Sequence, residues 1–204
     1  MTIGRLHVIT PADPARDPHA LVTECLAAGA PVVQIRRQGL SDRTRWSEAV
    51  DLVAACHQHG ASCIVNDRAD LALAAGADGV HVGEDDLPVS AARKLLNDGA
   101  VIGGTARDPE TARRLVDEGA SYLGVGPAYA SRTKEGLPPA IGPNGVERVA
   151  RAVDIPVIAI GGVTADRIPE ILDAGAYGVA VVKAVAGAED VHAATARLLA
   201  ALDQ

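Results

Sequence analysis

The chain has 204 residues, a formal net charge of −7 and 48% apolar side chains, with no Phe, one Trp and three Tyr. This length suits one globular domain that buries its own core, and the expected extent is residues 1–204. The acidic balance disfavours a nucleic-acid or membrane surface, and so few aromatics leave no stacking platform for single-stranded nucleic acid.

The first strand is predicted over 6–9, just before Thr10, and the first helix over 18–28. Strand 2, at 32–36, runs through Gln34 and Arg36 into Arg37 and Gln38, and a helix follows at 42–58. Strand 3 (63–65) ends in Asn66, Asp67 and Arg68, ahead of a short helix at 68–75. Strand 4 (79–82) carries His81 into Gly83, Glu84, Asp85 and Asp86, with a helix at 88–98. Strand 5 is read as 101–103, with Gly103, Gly104 and Thr105 at its end, then a helix at 109–118. Strand 6 (122–125) leads into a loop holding Tyr129, Ser131, Arg132, Thr133 and Lys134, and a short helix at 143–152. Strand 7 (157–160) ends in Gly161 and Gly162 before a helix at 165–174. Strand 8 (178–182) ends in Val182 and Lys183, and the last helix covers 188–202.

Gly29, Gly60, Gly76, Gly99, Gly119 and Gly175 are each followed by Ala and a short apolar run. Each also follows a helical pattern, so the chain repeats helix, glycine, buried strand. Eight such βα units predict an α/β fold with a parallel sheet, closed as a (β/α)8 TIM barrel. An open doubly wound sheet is second, and no GxGxxG follows the first strand to favour it. Val, Leu, Ile and Ala, which dominate this core, are the side chains that fill such a barrel.

Barrel enzymes hold their chemistry at the C-terminal ends of the strands. Taken singly, the polar residues there have plain explanations. Asn66 or Asp67 serves as a helix cap, the acidic run at 84–86 is a solvated loop, and Gly161-Gly162 is a tight turn. His81, between apolar residues, reads as an inner histidine with its hydrogen bonds satisfied rather than a metal ligand. Taken together, one rim collects anions, cations and backbone donors. Asp67 and Asp86 are hard oxygen ligands suited to Mg²⁺, which takes one or two carboxylates plus substrate phosphates. Arg36 and Lys134 are placed to neutralise a diphosphate. Gly162 and the segment after strand 8 offer backbone N–H groups to a second phosphate, with hydroxyls from Ser131 and Thr133. Mg²⁺-assisted departure of diphosphate is the reaction class this implies.

These motifs resemble the thiamine phosphate synthase family, which shares its fold with the thiazole tautomerases. The resemblance rests on Val65-Asn66-Asp67-Arg68, on Gly76 through Gly83 with Asp86-Leu87-Pro88, and on Gly124-Val125-Gly126-Pro127. Thr133-Lys134 and Ala159-Ile160-Gly161-Gly162 complete it, so it spans the chain from about strand 2 to strand 8. It implies condensation of 4-amino-5-hydroxymethyl-2-methylpyrimidine diphosphate with a thiazole phosphate. Diphosphate leaves first, and the thiazole nitrogen attacks the resulting pyrimidine-methyl cation. The resemblance sets Gln34, Arg36, Asn66 and Thr105 against the pyrimidine diphosphate, Mg²⁺ on Asp67 and Asp86, and Lys134 on the diphosphate. Ser131, Thr133, Gly162, Val182 and Lys183 would hold the thiazole phosphate. Arg36, Lys134 and Thr105 carry the catalytic part.

Three positions depart from the family pattern. Gln38 stands where a lysine is usual, so one diphosphate contact is either lost or supplied by another cation, Arg37 or Arg107. Thr105 and Lys183 stand where serine is common. A thiazole tautomerase is the alternative activity, but that family relies on a histidine just after strand 5, where this chain has Ala106-Arg107. A non-catalytic barrel that binds a phosphorylated ligand is the third reading, kept open by Gln38 and Lys183.

The expected partners are small phosphorylated molecules, without nucleic acid or membrane, and the chain is compatible with a homo-oligomer. No apolar run reaches membrane-spanning length, and Pro11, Asp13 and Pro14 interrupt any signal-like start. Cys25, Cys56 and Cys63 are an odd set without CxxC, expected as reduced packing thiols in the cytoplasm. Gly136 and Pro138-Pro139 suit a hinged lid after Arg132.

Overall fold

The computed structural model of the chain describes residues 3–12, 17–131, 136 and 138–203. Eight parallel strands close in chain order: β1 Leu6–Ile9, β2 Val32–Ile35, β3 Ser62–Asn66, β4 Gly79–Val82, β5 Val101–Ala106, β6 Tyr122–Val125, β7 Val157–Ile160 and β8 Gly178–Val181. The helices outside them are α1 Pro18–Ala27, α2 Asp42–Gln58, α3 Ala69–Ala75, α4 Val89–Leu95, α5 Pro109–Asp117 and α6 Gly142–Ala150. A 3-10 turn, Ala165–Arg167, opens onto α7 Ile168–Asp173, and α8 Lys183–Ala186 and α9 Val191–Leu202 complete the ring. The expected closed barrel is therefore the observed fold.

The alternation of side chains along each strand sorts the core into two layers. Leu6 and Val8 of β1 face the helices, whereas Ile9 turns into the barrel. Val33 and Ile35 of β2 pack against Leu52, Val53 and Cys56 of α2, whereas Val32 points inward. The inner layer is built from Ile9, Val32, Ile64, Val101, Tyr122, Ile158 and Ala180, one from each strand except β4. Gly79 of β4 faces a crowded spot, since a Cβ there would lie 1.7 Å from the Val101 carbonyl oxygen.

Local chemistry starts the helices where the sequence suggests. Ser41 Oγ accepts from the Thr44 N–H at 3.2 Å, Asp108 Oδ1 from Thr111 N–H at 2.9 Å, and Asp190 Oδ1 from Ala193 N–H at 2.8 Å. Each cap satisfies a donor that the first turn leaves without a helical partner, and contributes about 1 kcal/mol. At the other end of α3, Gly76 adopts φ +69° and its N–H returns to the helix carbonyls.

The seam between β8 and β1 is paired like the others, with Val8 facing Val181 as it faces Val33 on its other side. Arg5 fastens this seam. Its Nε donates to the Tyr177 carbonyl at 2.9 Å, its Nη1 donates to the Leu202 carbonyl of α9, and its own carbonyl accepts from Val179 N–H at 2.8 Å.

Three of the differences from the sequence reading bear on the rim. β5 continues through Ala106, so Thr105 lies within the strand rather than after it. The glycines that suggest an end instead make room. A Cβ at Gly103 would lie 2.2 Å from Tyr122 Cζ, and one at Gly104 would lie 3.1 Å from Leu115 Cδ1. β8 stops at Val181, and Val182 caps a separate four-residue helix, α8, ahead of the expected final helix. The expected helix at 165–174 begins as a 3-10 turn.

Candidate active site

A line of hydrogen bonds crosses the inside of the barrel just below its mouth. Gln34 of β2 lies beside the hydroxyl of Tyr122 of β6. That hydroxyl lies 3.0 Å from His81 Nδ1, and His81 Nε2 lies 3.0 Å from Thr105 Oγ1. His7 of β1 packs edge-on to the Tyr122 ring, with centroids 5.0 Å apart. Two glycines open the space for these rings. The Cβ that Gly103 lacks would be 2.4 Å from His81 Nδ1, and that of Gly124 2.8 Å from His81 Cε1. Gln34, Tyr122 and His7 are buried, whereas Thr105 and His81 are only partly covered and reach the mouth.

Enclosure keeps both imidazoles neutral. Burial pushes His81 down to about 4, against a smaller upward pull from the Asp86 carboxylate. Burial, and then the charge His81 would carry, push His7 down to about 3. The Tyr122 phenol is pushed up by burial, and the Gln34 side chain beside it works in the opposite direction. These rings therefore act as hydrogen-bonding groups at neutral pH, in line with the reading of His81 as a satisfied inner histidine.

The expected metal residues stand around this centre. Asp67 follows β3 directly and takes φ +64°, alone among the described non-glycine residues in having a positive φ. Its N–H donates to the His81 carbonyl at 2.8 Å, which ties it to β4. A non-glycine residue in this region costs about 1 kcal/mol or more, and such positions gather at functional sites. Asp86 Oδ2 accepts from Gly83 N–H at 2.7 Å, which folds the turn after β4 back toward the mouth. Two hard carboxylates after adjacent strands fit Mg²⁺, which leaves its other positions to water and phosphate oxygens. Among the described residues, no group of three or more His, Cys, Asp or Glu gathers as a separate metal site.

Arg36 is held at its backbone by Thr10 at the end of β1. Thr10 Oγ1 accepts from Arg36 N–H at 2.8 Å and donates to its carbonyl at 3.2 Å. Arg36 follows the last residue of β2, two positions beyond Gln34. Gln34 itself lies below the mouth in contact with Tyr122, deeper than a side chain open to solvent. Asn66 lines a cavity of about 340 Å³ with Arg37, Gln38, Asp67 and Arg68, between the loops after β2 and β3. Gln38 is exposed at its edge. Neither candidate replacement for the missing lysine is turned to that task. Arg37 Nε lies 2.5 Å from Glu48 Oε1 of α2, and Arg107 Nη2 donates to the Pro139 carbonyl at 2.8 Å.

The second subsite is assembled by a turn that only glycine fits. Gly161 and Gly162 have φ +94° and +65°, and a Cβ at Gly162 would lie 2.7 Å from the Ala130 carbonyl oxygen. Ala128 and Tyr129 N–H donate to the Ile160 and Gly161 carbonyls, which lays the loop after β6 along the end of β7. Gly162 is thus brought against Tyr129 and Ala130, the residues just before Ser131. Arg167 stacks 4.3 Å above the Tyr129 ring and donates to the Gly162 carbonyl at 2.5 Å, while Tyr129 donates to Glu170 at 2.6 Å. Val182 and Lys183 stand at the start of α8, with Lys183 exposed. Thr133 and Lys134, together with most of the expected lid, lie outside the described residues.

Sequence reasoning missed Tyr122 as a polar partner. It reads as one more apolar strand residue, and the only hint was that it lies on the same alternate face as Gly124.

The family described as thiamine monophosphate synthase matches residues 6–185. The chain is 50% identical to the thiamine-phosphate synthase of Salinispora arenicola (strain CNS-205) over 98% of both chains. It is 52% identical, with the same coverage, to that of Salinispora tropica. Its fold superposes on thiamine phosphate pyrophosphorylase from Pyrococcus furiosus with a TM-score of 0.89 at 34% identity, covering 98% of this chain and 95% of that one. At 20% identity and a TM-score of 0.71, 3-hexulose-6-phosphate synthase shares the fold alone. By full-length similarity the chain belongs to the thiamine monophosphate synthase family.

Proposed function

We propose that this protein is a thiamine-phosphate synthase. It joins 4-amino-5-hydroxymethyl-2-methylpyrimidine diphosphate to thiazole phosphate and releases thiamine phosphate and diphosphate. The observation that carries this reading is the placement of Asp67 and Asp86 after the adjacent strands β3 and β4, with Asp67 bonded to the backbone of His81, whose ring meets Thr105. Full-length relatives named for this activity support it.

In this reading the C–O bond between the pyrimidine methylene and the diphosphate breaks, and its electron pair leaves with the diphosphate. The thiazole nitrogen then supplies the pair that forms the new C–N bond. Asp67 and Asp86 would hold Mg²⁺, which would supply positive charge to offset that of the departing diphosphate. Arg36 and Lys134 add fixed positive charge where the leaving group gathers its negative charge. Asn66, Thr105 and, from below, Gln34 orient the pyrimidine. Ser131, Thr133, Gly162 and the Val182-Lys183 backbone hold the thiazole phosphate at a distance that lets its nitrogen approach.

The test is direct. Purified protein is mixed with both substrates and Mg²⁺, and thiamine phosphate is followed with time. Product that disappears on chelation supports the reading, whereas tight binding of thiazole phosphate without product overturns it. A tautomerase is disfavoured because Arg107 and Asp108, not a histidine, follow β5.

A further inference from the structure

We propose that Tyr122 and His81 are positioning residues that fix the Thr105 hydroxyl as a hydrogen-bond donor toward the aminopyrimidine. The proposal rests on the synthase reading for the identity of that substrate, and on the barrel's interior bonds for the direction of the donor.

The direction follows from counting protons along the line. A tyrosine hydroxyl has one proton, a neutral imidazole has one N–H, and a threonine hydroxyl has one proton. A phenol hydroxyl is a stronger donor than an imidazole N–H, and an imidazole nitrogen is a stronger acceptor than a phenol oxygen. The Tyr122 proton is therefore directed at His81 Nδ1, 3.0 Å away. An imidazole whose Nδ1 accepts carries its proton on Nε2, so His81 donates to Thr105 Oγ1 at 3.0 Å. The Thr105 proton is left to point away from His81, at the partly open end of the line. A hydroxyl in this state meets an acceptor atom, such as a ring nitrogen of an aminopyrimidine, better than it meets an amino group.

The packing supports a dedicated arrangement. Gly103 and Gly124 leave out side chains that would collide with His81, and Gly103 also leaves room for Tyr122. His7 braces the Tyr122 ring while its own Nε2 lies 3.1 Å from the Gly4 carbonyl, which only accepts. Its proton is therefore committed outside the line.

The experiment has two arms. In the unaltered protein, the ¹⁵N resonances of His81, assigned by their loss in His81→Gln, report which ring nitrogen carries the proton. The expected form is Nε2–H, and an Nδ1–H form overturns the proposal. In the second arm, Tyr122→Phe is made in the natural chain and in Thr105→Val. The expected result is a roughly tenfold fall in kcat in the first background and less than about twofold in the second, since the effect passes through one hydroxyl. Equal losses in both backgrounds overturn the relay and mark Tyr122 as a packing residue. A fully active Thr105→Val enzyme instead overturns the substrate contact at which the relay ends. An absence of synthase activity in the natural chain overturns the parent reading, and the tautomer still decides the direction. The first arm needs no altered core, so it decides even where Tyr122→Phe fails to fold.

Discussion

The N–H of Asp67 donates to the carbonyl of His81 at 2.8 Å, so the strained residue after β3 is tied to the strand that carries the ring at the centre of the barrel. Replacing Asp67 with Gly removes the carboxylate and relieves the positive φ together. Stability is expected to stay within about 1 kcal/mol of the natural chain, because relief of strain offsets the entropy of glycine. Synthesis is expected to fall by about a hundredfold or more. Urea unfolding and the coupled-substrate assay check the two halves, and an active Asp67→Gly enzyme would remove Asp67 from the metal site.

The exposed Gln38 borders the cavity that Asn66 and Asp67 line. Gln38→Lys restores a cation there, and KM for the pyrimidine diphosphate is expected to fall severalfold with little change in stability. Steady-state kinetics at two salt concentrations read this, because an added charge contact weakens as salt rises.

Arg37 and Glu48 form a pair whose side chains are 10% and 12% exposed. Glu48→Ala leaves a guanidinium enclosed without its counter-charge, and a loss of about 3 kcal/mol is expected on denaturant unfolding. Replacement of both residues by apolar ones is expected to cost less than this single change. The reverse order would show that the pair itself stabilises the loop after β2.

Gly103→Ala places a methyl group against Tyr122 and His81, with 2.2 Å to the nearer ring. Overpacking of this kind costs about 1–3 kcal/mol. Here it also displaces the ring beside Thr105, so kcat and stability should fall together.

The two inner histidines predict a pH dependence. In the unfolded chain an imidazole takes its proton near 6.5, whereas in the fold His81 does so near 4 and His7 near 3. The unfolded state therefore binds more protons below about 6.5, and stability declines as pH falls from there toward 4. By pH 5 each ring costs about 2 kcal/mol. Unfolding measured between pH 7 and pH 4.5 should show this slope; about half of it would mean that one ring takes its proton in the fold as readily as in the unfolded chain, and a flat profile that both do.

Much of this barrel was legible in the sequence because helix ends, strand runs and the polar residues after them repeat in register. Five of the six repeat glycines have positive φ, and the exception, Gly99, follows a helix that ends early at Leu95. The misread end of β5 has a physical cause. Gly103 and Gly104 look like a turn in one dimension, but they are strand positions emptied to admit side chains from β4, α5 and β6. The short helix α8 was hidden because four residues carry too little periodicity to register. Asp67 and Asp86 could be picked out as a pair from strand order alone. The Tyr122–His81–Thr105 line could not, since it depends on how deep each strand sits relative to its neighbours.

The clamp that Arg5 makes on Tyr177 and Leu202 joins residues 172 and 197 positions apart. In a closed ring the junction of β8 with β1 is one neighbour contact among eight, and the order in which the strands are synthesised is not built into the finished surface. A permuted chain, with α9 linked to the segment before β1 and new ends cut in an exposed loop such as that before α4, should close into the same barrel. It would fold by a different route, because the contact that now waits for both ends of the chain would become local.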